Sequence, residues 1–148
     1  MLQIEHYMDK AAFETKLKKT DLIEFLHTHL DRFRDSKSAI EKAIDYAYSP
    51  DPGRGGYIIA AYEDEQLVGA VVMNKTGMSE FIPEYYLIYI AVAASQRGKG
   101  IGSKLLQRAF ATADGNIALH VEYDNPAKRL YERMGFTTKY AEMRWQRS

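Results

Sequence analysis

Apolar and polar positions change period several times along this chain, and each change marks an element. Leu2 to Tyr7 alternates in the manner of a half-buried strand. Asp9 can then cap a short helix through Phe13 and Leu17. A longer apolar stripe, Leu22, Phe25, Leu26, His29, Leu30 and Phe33, repeats at helical spacing. Asp21-Leu22-Ile23-Glu24 at its start has the form of an aspartate-led capping box. After the polar break Asp35-Ser36-Lys37, Ser38-Ala39-Ile40-Glu41 reads as a second capping box. It opens a helix with Ile40, Ala43, Ile44 and Ala47 inward that closes before Pro50.

Beyond the Pro- and Gly-rich loop Asp51 to Gly56 the period falls to that of strands. Tyr57 to Tyr62 and Leu67 to Met73 form a hairpin joined across Glu63 to Gln66, and Asn74 to Pro83 is a second loop. The apolar run Tyr85 to Val92 is too short for a helix of its own and rich in β-branched and aromatic side chains, so it predicts a buried strand. Arg97-Gly98-Lys99-Gly100-Ile101-Gly102 follows. Apolar residues at 101, 105, 106, 109, 110 and 113 then predict a helix ending near Asp114-Gly115. Ile117 to Val121 is another strand. Asn125-Pro126 starts a short helix with Leu130, Tyr131 and Met134 that stops at Gly135. Thr137 to Trp145 has room for one strand or a very tight hairpin.

Three alternate glycines between a strand and a helix start leave several backbone N–H groups free and admit an anion close to them. They suit a phosphate seat, although such turns also occur for packing alone. The run is neither a dinucleotide fingerprint, which would need glycine where Ser103 stands, nor a P-loop, since Lys104-Leu105 follows Ser103.

Composition narrows the classes. The 148 residues suit one domain with a sizeable core, and 46% hydrophobic with 27% charged is ordinary for a globular chain. Twenty basic residues balance 20 acidic ones, so no global field favours nucleic acid or an anionic membrane. The chain has no cysteine, which excludes thiolate metal sites and a thiol nucleophile. The four histidines are scattered and no metal constellation is expected. No signal-like N-terminus and no run long enough for a membrane helix is visible, so a cytoplasmic protein is the expectation.

Two separated motifs carry a resemblance: Arg97-Gly98-Lys99-Gly100-Ile101-Gly102, and Asn125-Pro126-Ala127-Lys128-Arg129-Leu130-Tyr131-Glu132-Arg133-Met134-Gly135-Phe136. In this order, between these elements, they resemble the pyrophosphate motif and the N…LYE-x-x-GF segment of the GNAT superfamily of acetyl-CoA-dependent N-acetyltransferases. The resemblance implies one N-acetyltransferase domain over 1–148, of α/β (α+β) class, with a mixed, mainly antiparallel twisted sheet and helices on both faces.

It also implies roles. Backbone N–H groups of Gly98, Lys99, Gly100, Ile101, Gly102 and Ser103, behind Arg97, would hold the CoA pyrophosphate. Ile90, Ala91 and Val92 would align the pantetheine arm through backbone, with one strand N–H polarising the acetyl carbonyl. Tyr131 would be the acid that protonates the departing thiolate, a role its ordinary pKa near 10 permits, although helical spacing alone also suits a core aromatic. Asn125 would contact CoA. It stands six residues before Tyr131 instead of the seven common in the family, which turns the helix start by about 100°. The base is open between His120, Glu122 on the same strand face, and water. Without a thiol nucleophile, direct attack by a primary amine in a ternary complex is the expected route, with a peptide or small molecule as acceptor. A noncatalytic acyl-CoA-binding or partner-binding module of the same fold is the alternative. The short tail leaves the acceptor side open or completed in a homodimer, with Met143 and Trp145 as contacts.

Overall fold

The computed structural model describes residues 1–147. Five strands, β1 (Leu2–Tyr7), β2 (Gly56–Glu63), β3 (Gln66–Lys75), β4 (Tyr85–Val92) and β5 (Ile117–Leu119), form one sheet in the order β1-β2-β3-β4-β5. The first three pairings are antiparallel, and β4–β5 is parallel. Five helices accompany it: α1 (Lys10–Lys16), α2 (Lys19–His29), α3 (Lys37–Ala47), α4 (Ile101–Thr112) and α5 (Ala127–Arg133). The mixed, mainly antiparallel sheet agrees with the expectation.

Both faces of the sheet are covered. The Asn74 side-chain amide of β3 lies 3.1 Å from the Met73 carbonyl and 3.2 Å from the Ala43 carbonyl, and the amide orientation that satisfies both donates its nitrogen to them, which ties α3 to one face. On the other, the Tyr57 hydroxyl donates to the Ala109 carbonyl of α4 at 3.0 Å. Gly69 explains how closely α4 approaches: a Cβ there would lie 2.8 Å from Leu105 Cδ1 and 3.3 Å from Ile101 Cγ2. Leu105, Leu106 and Ala109 of α4, Leu22 and Leu26 of α2, and Ile40 and Ile44 of α3 are fully or almost fully buried. The inward faces of α3 and α4 are therefore the ones their apolar periods mark.

Four boundaries differ from expectation. Asp21 is not the cap of α2. That helix starts at Lys19, because α1 ends at Leu17 in extended conformation and the chain turns within two residues; Asp21 sits in the first turn instead, where its charge suits the helix dipole. The helix also stops at His29, and Asp31 in left-handed conformation diverts Phe33 into a short 3-10 turn. Ser36, not Ser38, caps α3, its Oγ accepting from the Ala39 N–H at 3.1 Å, since Ser36 is where the backbone becomes extended. The third is β5, which ends at Leu119 and leaves His120 and Val121 outside it. Finally, no residue from Thr137 to Arg147 pairs as a strand; all are exposed, including Tyr140, Met143 and Trp145.

Candidate active site

Strand β4 pairs with β3 from Tyr85 to Val92 but with β5 only at Tyr85, Tyr86 and Leu87. Past Leu87 its second edge is open, and a wedge separates it from the chain after Leu119. The Ala93 N–H donates to the Val68 carbonyl at 2.8 Å, so by the strand alternation Ala91 also faces β3. Ile90 and Val92 therefore turn their backbone groups into the wedge. A bulge opposite Val72 and Met73 resets this alternation after Leu87.

The glycine turn stands at the end of that wedge. Gly98 and Gly100 both have φ +80, a conformation that glycine adopts without steric penalty, and a Cβ on either would meet nothing within 4 Å. Gly102 is different: its φ is ordinary, but a Cβ would lie 3.0 Å from Leu130 Cδ2, so it is there to let α5 pack on α4. Gly100 is the N-cap of α4 without any side-chain cap, the first turn holds no acidic residue, and the first amide to bond back is Lys104, to the Gly100 carbonyl at 3.2 Å. The amides of Ile101, Gly102 and Ser103 are left at the positive end of a 12-residue helix, an arrangement that can hold a phosphate.

Arg97 is committed elsewhere. Its guanidinium donates to the carbonyls of His29 (2.7 Å) and Val92 (3.3 Å), while His29 Nδ1 accepts from the Ala94 N–H at 3.1 Å. The pair clamps the end of α2 to both ends of the turn, and burial together with the Arg97 charge lowers the His29 pKa. His29 was readable from sequence only as one more position on a helical stripe.

Tyr131 is buried and packs edge-on against Phe136, with ring centroids 5.9 Å apart. Gly135, at φ +105, turns the chain back so that the Phe136 N–H donates to the Tyr131 carbonyl at 2.9 Å. The Tyr131 hydroxyl has no hydrogen-bond partner among the described residues, yet it is not sealed in, because no fully buried side-chain oxygen or nitrogen there lacks a partner. Burial raises its pKa to about 12, so the phenol is a proton donor throughout the neutral range. Asn125 uses Oδ1 to accept from the Ala127 N–H at 2.9 Å; Pro126 takes the N-cap position expected for Asn125, and the asparagine caps from one residue earlier.

His120 and Glu122 are both exposed and beyond β5. Lying outside the strand, His120 and Glu122 do not share a strand face. The His120 ring stands edge-on to Tyr86, centroids 4.9 Å apart. Tyr86 lies opposite Asn74 and so on the α3 face, whereas Tyr131 and Leu130 lie on the α4 face. The Tyr131 phenol and the His120 imidazole thus stand on opposite faces of the sheet. A cavity of about 600 Å³ between Ile4, His6, Ala12, Lys16 and Arg108 is at the far edge of the sheet and contains none of these groups. Among the described residues no group of three or more His, Asp or Glu side chains could hold a metal, and no helix is long and apolar enough to cross a membrane.

A model of the acetyltransferase (GNAT) family matches residues 18–136, from the start of α2 to the Phe136 that closes on Tyr131. The chain belongs to the GNAT family. Among curated proteins, this GNAT chain is similar to N-alpha-acetyltransferase 40 of Saccharomyces cerevisiae, at 33% identity over 106 residues covering 55% of this chain and 36% of that protein. It is also similar to the 5-NmdU N-acetyltransferase of Pseudomonas phage PaMx11, at 39% over 57 residues covering 37% of this chain and 41% of that one. The chain thus spans about two fifths or less of the curated relatives it matches. Among solved structures, Arabidopsis thaliana Naa50 in complex with the bisubstrate analogue CoA-Ac-MVNAL superposes with a TM-score of 0.65 at 22% identity, covering 94% of this chain and 85% of that one. A Vibrio cholerae integron cassette protein gives 0.67 at 21%, covering 99% and 92%. At these identities the superpositions establish the GNAT fold.

Proposed function

We propose that the chain is an N-acetyltransferase that moves an acetyl group from acetyl-CoA to a primary amine by direct attack in a ternary complex. The observation that carries this reading is the unpartnered Tyr131 hydroxyl, reachable from outside, on a helix whose Leu130 meets Gly102 beside Val92, at the end of a strand edge left open from Ile90 to Val92. Acetyl-CoA brings an activated thioester; the protein supplies the seat, the donor and the acid. The amides of Gly98 to Ser103 hold the pyrophosphate at the head of α4, with Lys99 and Lys104 nearby. Arg97 shapes this turn through backbone carbonyls. Ile90, Ala91 and Val92 align the pantetheine arm, and a backbone N–H from Ile90 or Val92 donates to the acetyl oxygen as charge develops there. Asn125 retains its amide nitrogen for CoA. The amine nitrogen bonds to the carbonyl carbon, the carbon–sulfur bond breaks, and Tyr131 gives its proton to the sulfur. The proton lost by the amine passes to His120 or Glu122, directly or through water.

The acceptor is a peptide or small-molecule amine, and the same reading places the enzyme in the cytoplasm with no need for a nucleic acid or membrane partner. Met143 and Trp145, 90% and 78% exposed on the strandless tail, are where a second copy would dock. Sedimentation of wild type against Trp145→Glu tests that homodimer.

Calorimetry with acetyl-CoA followed by thiol-release assays over an amine panel tests the function. Binding with turnover supports it. No binding at tens of micromolar overturns it, and binding without turnover on any amine leaves a noncatalytic CoA module.

A further inference from the structure

The α3 side of the wedge holds a carboxylate that none of the roles above uses. Across the sheet Tyr7, Ile58, Val72 and Tyr89 are direct partners, and Tyr7 packs on Phe13 of α1, so this row faces α1 to α3. Tyr89 is the residue after the β4 bulge and the neighbour of Ile90. Its hydroxyl donates to Asp35 Oδ2 at 2.6 Å, and burial and that carboxylate together push its pKa up. Asp35 lies in the short loop between the 3-10 turn and the Ser36 cap of α3, and its side chain is exposed.

Of the cations near Asp35, Arg34 donates to the Asp31 backbone carbonyl at 2.7 Å, and three others are engaged with carboxylates. Lys37 pairs with Glu24, Arg32 with Asp124 at 3.0 Å, and Arg144 with Glu142, although Arg144 and Asp35 lie close enough to feel each other's charge. Asp35 itself has no ion-pair partner among the described residues. The result is a carboxylate anchored through one oxygen to β4, with no other partner among the described residues, on the same α3 face of the sheet as the Tyr86 ring and His120 and opposite the face that carries Tyr131.

We propose that Asp35 is an acceptor-binding residue that selects amines carrying a second cationic nitrogen, which it binds through its free oxygen. The assignment rests on the acetyltransferase reading. A carboxylate bound to the attacking nitrogen itself would favour the ammonium and oppose reaction. Bound to a second cation, the same charge costs the reaction nothing and orients the acceptor. The two sources of such a group are an α,ω-diamine and a peptide amine followed by a basic side chain.

The test compares 1,4-diaminobutane with butylamine, and a peptide bearing lysine at its second position with the glutamine analogue, in wild type, Asp35→Asn and Tyr89→Phe. The expected result is that Asp35→Asn raises KM for one dicationic acceptor about ten- to a hundredfold with kcat held, and leaves its monocationic counterpart unchanged. The pair that responds identifies the source. Tyr89→Phe, which keeps the carboxylate but frees it, should lie between. Equal effects on mono- and dicationic acceptors, or equal losses of thermal stability in both variants with unaltered selectivity, would make Asp35 a loop tie and overturn the proposal. Calorimetric titration of the same four acceptors into CoA-saturated protein makes the comparison without turnover, so a failure of the enzymatic reading is seen separately, as acetyl-CoA that binds without reacting or does not bind.

Discussion

The two sides of β4 at its carboxyl end are built from unlike materials. Toward α4 the site is backbone and buried surface: left-handed Gly98 and Gly100, the uncapped head of a helix, and Tyr131 packed on Phe136. Toward α3 it is exposed side chains on loops, with Asp35, His120 and the Glu142–Arg144 pair standing around Tyr86 and Tyr89. A pyrophosphate is the same in every acyl-CoA, so the proposed seat of amides would serve without variation. An acceptor differs from enzyme to enzyme, and loop side chains can change without disturbing the core. The difference teaches why the family is plain while the acceptor must be argued from charge.

The largest effect is expected from removing the proposed acid alone. Tyr131→Phe is expected to lower kcat about 10²- to 10⁴-fold with acetyl-CoA affinity within about twofold, by stopped-flow thiol release and calorimetry; an unchanged rate removes Tyr131 from the chemistry. Next comes the core on which the α4 side stands. Leu106→Ala should cost about 2–5 kcal/mol in urea unfolding, because Leu106 is fully buried, while the folded fraction still binds acetyl-CoA. Gly100→Val places a β-branched residue at φ +80, and the strain of about 1–2 kcal/mol should weaken acetyl-CoA about tenfold without unfolding the chain. The smallest effect concerns the clamp between the two sides. The fold holds His29 neutral and below its ordinary pKa near 6.5, so its contribution is intact above that value and is lost as pH falls through the lowered folded one. Urea midpoints at pH 7.5 and 5 should therefore drop further in wild type than in His29→Gln; equal drops would show that protonating His29 costs the clamp nothing.

Much of the frame was legible because it is written in local periods. β1 and β4 run between the residues that alternation and apolar content mark, and the inward faces of α3 and α4 follow their 3.6-residue stripes. The glycine turn and the end of α5 were legible for a related reason: left-handed turns demand glycine, and Gly98, Gly100 and Gly135 stand where the two motifs place them. Misreadings fell where two local solutions compete. Ser36 and Ser38 are both competent caps, and Asp21 is equally acceptable as a cap or in a first turn. The tail from Ala141 to Trp145 alternates like a strand, but alternation supplies no partner edge, and none is taken.

The family motifs, the strand and helix periods and the residue types at the glycine turn could be read from the chain alone, because each depends on neighbours within one or two turns of chain. Only the tertiary structure decided that β5 ends at Leu119 and opens a wedge at Ile90 to Val92, that Arg97 spends its guanidinium on the carbonyls of His29 and Val92, and that Tyr131 and His120 stand on opposite faces. It also brought Asp35 to Tyr89 across 54 positions of chain. Contacts of that span depend on how the sheet twists and where two helices cross it, which no local period encodes.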